Sequence, residues 1–372
     1  MKVPFVDLKA QYLSIKDEVK AAIDDVLENT SYILGKYVGN FEKEFAKMHE
    51  VRNCVGVSSG TDGNHSVLWA LGVKHGDEVI IPANTFIATA WGVTLCGAKP
   101  VFADCHPESY NLDPEKVEAA ITPRTKAIVA VHLYGQPADM DRLSEIAGRH
   151  GILLVEDCAQ AHISEYKGRR VGGLSAASSF SFYPGKNLGA FGEAGAVCTN
   201  DDELAAKFRM IRDHGSHEKY NHLVLGHNYR MENIQGAVLS VKLNHIGKWT
   251  EQRRKAAKLY NEGLKNLEHV TLPKEMEYSK HVYHLFILKL KDTETRNKLQ
   301  AYLAGKDIST GLHYPIPLHV QPCFSELGYS RGNMPVTENL SECGISLPMF
   351  PNITEEQVGY VCDTIKSFFM KN

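Results

Sequence analysis

The sequence predicts an α/β protein, with a mostly parallel central sheet flanked by helices and a smaller C-terminal α+β domain. Three observations carry this. First, between about residues 50 and 200 short apolar runs alternate with amphipathic stretches, and strands alternating with helices build right-handed crossover units around a parallel sheet. Second, the run Ile152-Leu153-Leu154-Val155 is apolar throughout, as a strand covered on both faces must be. Third, a chain of 372 residues exceeds what one small core holds, which leaves room for a second domain.

Each element has its own signal. A helix is expected from about Tyr12 to Leu27, with Ile15, Val19, Ile23 and Val26 on one face. A second is expected after Asn40, a capping residue, with Phe41, Phe45 and Met48 at helical spacing. Expected strands are Cys54–Val57, Glu78–Ile81, Lys99–Ala103, Ala127–Val131, Ile152–Glu156, Ser178–Phe182 and Gly195–Thr199. Helical segments lie between several of them, at Gly63–Leu71, Thr85–Cys96, Pro114–Ala120 and Met140–His150. One long helix is expected from Met231 to about Leu264. Beyond Val270 the pattern shifts: strand at His284–Leu290, helix at Glu294–Ala304, strand at Ser309–His313 and a closing helix at Glu355–Met370. This divides the chain into a large domain, 1–250, and a small one, 251–372. No internal repeat or low-complexity linker separates them.

Composition narrows the function classes. Lysine plus arginine is 41 and aspartate plus glutamate 44, a formal charge of −3, with 43% hydrophobic and 23% charged residues. That is ordinary globular composition and excludes a disordered chain or a rod. Near-neutral charge argues against a nucleic-acid partner, which calls for a basic stripe. No apolar run approaches the roughly 20 residues that span a bilayer, and the first residues show no signal-peptide core. The eight cysteines form no Cys-x-x-Cys pair. These features predict a cytoplasmic protein with free thiols, no metal and no membrane partner.

In a parallel sheet, functional residues gather at the carboxyl ends of the strands. After Val55-Gly56-Val57 comes Ser58-Ser59-Gly60-Thr61-Asp62. A strand, a small-residue turn and a helix start make an anion site, since free N–H groups and the helix dipole favour negative charge. A simple capped turn gives the same pattern. The strand ending Val155-Glu156-Asp157 puts a carboxylate at the sheet mouth, with Gln160 and His162 close behind. Such a carboxylate suits a metal, a helix cap or a cationic ring. Lys186 follows the strand Ser178–Phe182 in a loop of small and aromatic residues, a setting that depresses a lysine pKa and makes the amine nucleophilic. Together, a phosphate cradle, a strand-end aspartate and a strand-end lysine suit pyridoxal phosphate. Two other motifs fail. Gly189, Gly192 and Gly195 precede a strand instead of following one, and His217 and His222 are five apart, not the four of a metalloprotease helix. His65, His75 and His132 read as packing or surface residues.

Four segments carry a family resemblance: Ser58–Asp62, Pro82-Ala83-Asn84-Thr85-Phe86, Val155-Glu156-Asp157-Cys158-Ala159-Gln160-Ala161-His162, and Ser181-Phe182-Tyr183-Pro184-Gly185-Lys186-Asn187-Leu188-Gly189. They resemble the pyridoxal-phosphate sugar aminotransferases of the DegT/DnrJ/EryC1/StrS family, in the same order, over nearly the whole chain. The resemblance implies the fold-type I aminotransferase architecture and a homodimer with shared active sites. It implies that Lys186 forms the Schiff base and that Asp157 pairs with the pyridine nitrogen. Gln160 would lie against the ring hydroxyl and Phe86 would stack on the ring. Gly60, Thr61 and Ser181 would hold the phosphate, and Asn228 would reach it from the neighbouring subunit. Tyr183, His313 and Tyr314 would face the sugar nucleotide. Three stretches depart from the family pattern: Gly63-Asn64-His65, Ile163 where a glycine is common, and Gly192-Glu193-Ala194-Gly195.

The implied activity moves an amino group from L-glutamate to a keto carbon of a nucleotide-linked keto-deoxy sugar, the cofactor cycling through pyridoxamine phosphate. The product would be an amino sugar for a surface polysaccharide, glycan or natural product. The Lys186 loop looks closest to members that aminate carbon 3. Carbon 4 is the alternative. A sugar dehydratase of the same fold, which carries histidine in place of the lysine, and a non-catalytic regulator are the rival classes.

Overall fold

A computed structural model describes residues 1–371. Three helices come first, α1 (Leu8–Leu13), α2 (Lys16–Glu28) and α3 (Gly35–Met48). Strands and helices then alternate: β1 (Asn53–Val57), α4 (Gly60–Ala70), β2 (Glu78–Pro82), α5 (Ile87–Leu95), β3 (Lys99–Ala103), α6 (Pro114–Ala120), β4 (Thr125–Val131), α7 (Met140–His150) and β5 (Leu153–Asp157). The short β6 (Glu165–Tyr166) and β7 (Arg169–Arg170) precede β8 (Ser178–Ser181) and β9 (Gly195–Thr199). Next come α8 (Asp202–Arg212), the hairpin β10 (Ser216–Glu218) with β11 (Asn221–His222), α9 (Asn233–Leu243) and α10 (Ile246–Leu264). The rest holds β12 (Val270–Thr271), β13 (Ser279–Lys280), β14 (Phe286–Leu290), α11 (Thr293–Ala304), α12 (Pro335–Cys343), β15 (Gly344–Leu347) and α13 (Glu355–Lys371).

The central sheet has seven strands in the order β1-β9-β8-β5-β4-β2-β3. Neighbours among β3, β2, β4, β5 and β8 pair parallel. β9 runs antiparallel to both β8 and β1. The segment joining β8 to β9 contains no crossover helix, so the chain returns beside β8 in the opposite direction. Alternation along β2 shows how the sheet is covered. Val79 and Ile81 pack with Val55, Val129, Val155 and residues of α4 and α5. Ile80, between them, points to the other face and packs with Ile128, Leu154 and Leu143 of α7.

β12, β14 and β15 form a separate antiparallel sheet. Phe286, Leu288, Ile345 and Leu347 pack there with Leu299 and Leu303 of α11 and Val361 and Ile365 of α13. Val3 joins this core, bridged parallel to Ile308. The expected boundary at residue 250 falls inside α10. Ile246 packs with Phe180 of the main sheet, whereas Ala256 and Tyr260 belong to the C-terminal core.

Four local expectations differ from the structure. The first expected helix is two helices, because the Ser14 hydroxyl turns back to the Gln11 carbonyl at 2.7 Å and ends α1. α3 starts at Gly35, so Asn40 lies inside it. The Asn233 side chain accepts from the Tyr37 and Val38 N–H groups at 3.1 and 3.2 Å, which caps the helix from a distant segment. The expected long helix breaks at Asn244 and His245 into α9 and α10. Ser309–His313 is not a strand of the small sheet, and only Gly311 bridges Ser346 there. Among the described residues, no helix is long and apolar enough to cross a membrane.

Candidate active site

The candidate residues converge where β1, β5 and β8 end. After β1, the Ser59 hydroxyl caps α4 by accepting from the Asp62 N–H at 3.1 Å. Asp62 in turn accepts from the Ser58 and Ser59 hydroxyls at 2.6 and 2.8 Å. Gly60 opens the helix against Ser181 at the end of β8. A Cβ on Gly60 would lie 2.5 Å from the Ser181 Cβ, so only glycine allows the two segments this close. Among the described residues the Gly60 and Thr61 N–H groups and the Thr61 hydroxyl meet no acceptor. Free donors at a helix start beside a serine hydroxyl form a ready anion cradle.

Asp157, the last residue of β5, is buried with its carboxylate held by three donors. Oδ2 accepts from Asn64 Nδ2 at 3.0 Å and from the Thr89 hydroxyl at 2.8 Å. Oδ1 accepts from the Ala159 N–H at 3.0 Å. Both side-chain donors are themselves fixed. Asn64 Oδ1 accepts from the Ser179 hydroxyl, and Thr89 pairs with Thr85 at 2.9 Å. Asn64 stands one turn beyond Gly60 on α4, so the helix that offers the anion cradle also orients the aspartate. α5 brings Thr89, and Gly92 lets that helix approach. A Cβ on Gly92 would lie 2.7 Å from the Asn64 Cβ.

Lys186 contrasts with Asp157. It is half-buried, and among the described residues no hydrogen bond or ion pair reaches its amine. Burial pushes its pKa down from 10.5 to about 8, against the opposing pull of the Asp157 carboxylate. An amine with so lowered a pKa gives up its proton far more readily than an ordinary lysine and can serve as a nucleophile and a proton carrier.

The far wall is aromatic and amide. Phe86 is 51% exposed at the start of α5, and its ring lies 5.4 Å from that of Tyr314. Gln160 is buried; its Nε2 donates to the Tyr314 hydroxyl at 3.0 Å, while its Oε1 accepts from the Tyr134 N–H at 2.6 Å. The Tyr134 hydroxyl donates to the His313 carbonyl at 2.6 Å. His313 pairs with the Ser346 hydroxyl at 2.8 Å and stacks on Phe5. Burial, then the nearby Lys186 charge, lowers its pKa to about 4. Tyr183 stands 55% exposed beside the Lys186 loop.

Asn228 lies beside the cradle turn, since the carbonyl of the next residue, Tyr229, accepts the Ser58 N–H at 2.9 Å. It is exposed and paired through its backbone with Asp213. Asn64, Thr89 and Tyr134 escaped the sequence reading as functional residues. A signal existed for two of them. Asn64 lies four residues after Gly60, one turn along α4, and Thr89 lies four after Thr85, the hydroxyl just ahead of α5 that it pairs with.

Other expected roles are answered by hydrogen-bond accounting. His132 Nδ1 accepts from the Ala138 N–H at 3.0 Å and Nε2 faces Glu156 at 3.0 Å. Glu156 also accepts from the Gly172 and Leu174 N–H groups at 2.8 and 2.9 Å. His132, Glu156 and Cys158 lie close together, but the ring nitrogens of His132 are already engaged. His65 is buried, stacked on Trp69 and 3.1 Å from the Tyr229 hydroxyl. Ile163, at the family's common glycine position, has φ of 58°, the left-handed region that glycine occupies freely and a β-branched residue does not.

The comparisons with known proteins agree with this geometry. A sequence model described as the DegT/DnrJ/EryC1/StrS aminotransferase family matches residues 13–366. The chain is 44% identical to dTDP-3-amino-3,4,6-trideoxy-alpha-D-glucose transaminase from Streptomyces venezuelae, over 99% of this chain and 96% of that one. It is 46% identical to a pleiotropic regulatory protein from Geobacillus stearothermophilus, over 99% of both. It superposes on the crystal structure of S. venezuelae DesV in complex with a ketimine intermediate with a TM-score of 0.96 at 44% identity, covering 99% of this chain and 98% of that one.

Proposed function

We propose, on the premise that this chain belongs to the DegT/DnrJ/EryC1/StrS aminotransferase family, that it transfers an amino group from L-glutamate to carbon 3 of a nucleotide-linked keto-deoxy sugar. The cofactor is pyridoxal 5'-phosphate, which cycles through pyridoxamine phosphate. The observation that carries the reading is the pairing of Lys186, its amine lowered to about 8, with an Asp157 carboxylate fixed by Asn64 and Thr89. The S. venezuelae relative, named for a 3-amino sugar, supports carbon 3.

The residues present fit the cofactor. The Gly60 cradle has free donors for a phosphate, and a Cβ there would fill it. When bound, the cofactor supplies a carbonyl carbon for the amino group and a conjugated ring that accepts an electron pair. The protein does the rest. Gly60, Thr61 and Ser181 would hold the phosphate, and Phe86 would pack against the ring. Asp157 would keep a proton on the ring nitrogen through its negative charge, and Gln160 would lie against the ring hydroxyl. Lys186 would carry the proton between the substrate carbon and the cofactor's carbonyl carbon, a task suited to an amine whose pKa is lowered to about 8. Tyr183, His313 and Tyr314 line the substrate side.

A homodimer completes the site. Among the described residues no hydrogen bond reaches the exposed Asn228 side chain, and just before it Tyr220, Leu223 and Leu225 are 83%, 59% and 80% exposed. Such an apolar stretch calls for a partner surface. A second copy seated there would receive Asn228 at its own phosphate cradle. The cytoplasm is the compartment that suits eight free cysteines. The chain divides into a cofactor domain and a C-terminal domain that share α10.

A panel of keto sugar nucleotides incubated with glutamate, followed by product mass and carbon assignment, tests this reading. A 3-amino product with 2-oxoglutarate released is expected. No amino product from any keto sugar nucleotide, or full turnover by Lys186→Ala, overturns it. Lys186 itself favours transfer over dehydration, which the family runs with histidine at that position.

A further inference from the structure

The turn that carries Lys186 is closed by its own backbone. The Lys186 N–H donates to the Tyr183 carbonyl at 2.8 Å and the Ala190 N–H to the Phe182 carbonyl at 2.7 Å. It is then tied to the rest of the fold at two points. On one side Asn187 donates to the Val282 carbonyl at 3.1 Å and meets His284 Nδ1 at 3.2 Å. On the other, Lys242 of α9 donates its Nζ to the Gly189 carbonyl at 2.6 Å.

Lys242 is an unusual residue to find there. It is 2% exposed. Among the described residues it makes no ion pair. Its other contacts are Gln11 Oε1 at 3.5 Å and the face of Phe191, whose centroid lies 4.5 Å from Nζ. A lysine buried without a counter-charge is costly. Here a backbone carbonyl, an amide oxygen and a ring face supply only partial negative charge. Two of these three contacts, Gly189 and Phe191, lie at the end of the Lys186 turn. Gln11 ties the same ammonium to α1, so the turn, α9 and the N-terminal helix meet at one atom.

We infer that Lys242 is a positioning residue for Lys186. By fixing the Gly189 carbonyl and the Phe191 ring, it sets where the turn ends and so the direction from which the Lys186 amine enters the site. The inference rests on the reading of Lys186 as the reacting amine. An aligned nucleophile contributes through orientation, and a small misplacement costs rate more than substrate affinity.

The test uses the full-length, cofactor-loaded chain with Lys242→Met, Lys242→Arg and Phe191→Leu. Steady-state kinetics on a keto sugar nucleotide with glutamate are paired with hydrogen exchange of peptides covering 183–191 and 286–290. Lys242→Met is expected to lower kcat about 10- to 100-fold, with KM within about twofold. It should speed exchange in 183–191 and leave 286–290 as in the wild type. In the cofactor-free chain it should also shift the pH midpoint at which an amine-selective reagent labels Lys186. Lys242→Arg should recover part of kcat. An unchanged kcat overturns the inference, as does faster exchange spread evenly over both peptides with a lower melting temperature. If Lys242→Met does not fold, Phe191→Leu decides. A kcat loss of about two- to fivefold with exchange faster only in 183–191 supports the inference, and no change in either sinks it. Silent Lys242 variants leave the proposed function standing, whereas full turnover by Lys186→Ala removes the function itself.

Discussion

The acid side and the lysine side of the pocket are built on opposite plans. Asp157 receives three donors, two of them side chains that are themselves held. Lys186 receives none, although the turn beneath it is braced at Gly189 and Asn187. The difference follows from what each group must do. A carboxylate that keeps one charge in one place gains from every hydrogen bond that favours that charge. An amine that must shed its proton and attack is served by burial and by the absence of a partner. One group is fixed through its functional atoms and the other only through its backbone.

Breaking the acid side should cost most. Asp157→Asn keeps the shape but loses the charge, and kcat should fall on the order of 10³-fold, measured with saturating glutamate. A kcat within tenfold of wild type would remove Asp157 from the reaction. Loosening its supports should cost less. Asn64→Leu and Thr89→Val are each expected to lower kcat about 10-fold. In the double variant the losses should not simply multiply, because both donors serve one oxygen. Strictly additive losses would show that they act separately.

The lysine side is sharpened by pH. In the cofactor-free chain, amine-selective labelling of Lys186 should rise with a midpoint near 8 instead of the usual 10.5. The folded pKa lies below the unfolded one, so between about 8 and 10.5 the unfolded state binds more protons. Stability should therefore rise with pH across that window. Lys186→Met, which has no such proton, should lose that part of the slope. Labelling with a midpoint above 10 would refute the burial of the amine.

The smallest effect concerns a residue behind the pocket. Ile163 has φ of 58° and packs with Phe180 and Phe182. Truncation costs packing in either variant, but Ile163→Gly escapes the left-handed strain that Ile163→Ala retains. Glycine should therefore be no less stable than alanine there, and more stable by about 1 kcal/mol. Denaturant unfolding reads the difference, and a glycine variant clearly weaker than alanine contradicts the strain.

Much of this was legible because it is local. The apolar run through Leu153 and Leu154, the small residues after Val57 and the loop around Lys186 lie in continuous stretches, and position at a strand end needs no tertiary detail. What escaped reading is long-range. Asn233 caps α3 across 195 residues and moves its start to Gly35. Asn64 reaches Asp157 across 93 residues and Thr89 reaches it across 68. Hydrophobic periodicity marks which face a residue occupies, but not which distant polar atom it meets. Lys242 shows the same limit: at a helical position its burial gives no sign of the carbonyl it holds.

Gly92 sits on α5, outside the pocket, with its Cα facing the Asn64 side chain. A single added methyl there has to push two helices apart, and both carry a donor to the same carboxylate. Dimension, and not chemistry, is what this position supplies. A library of random substitutions sorted for activity would thus score Gly92 among the intolerant sites, although it touches no reacting atom, and would find the exposed positions nearer the substrate more forgiving.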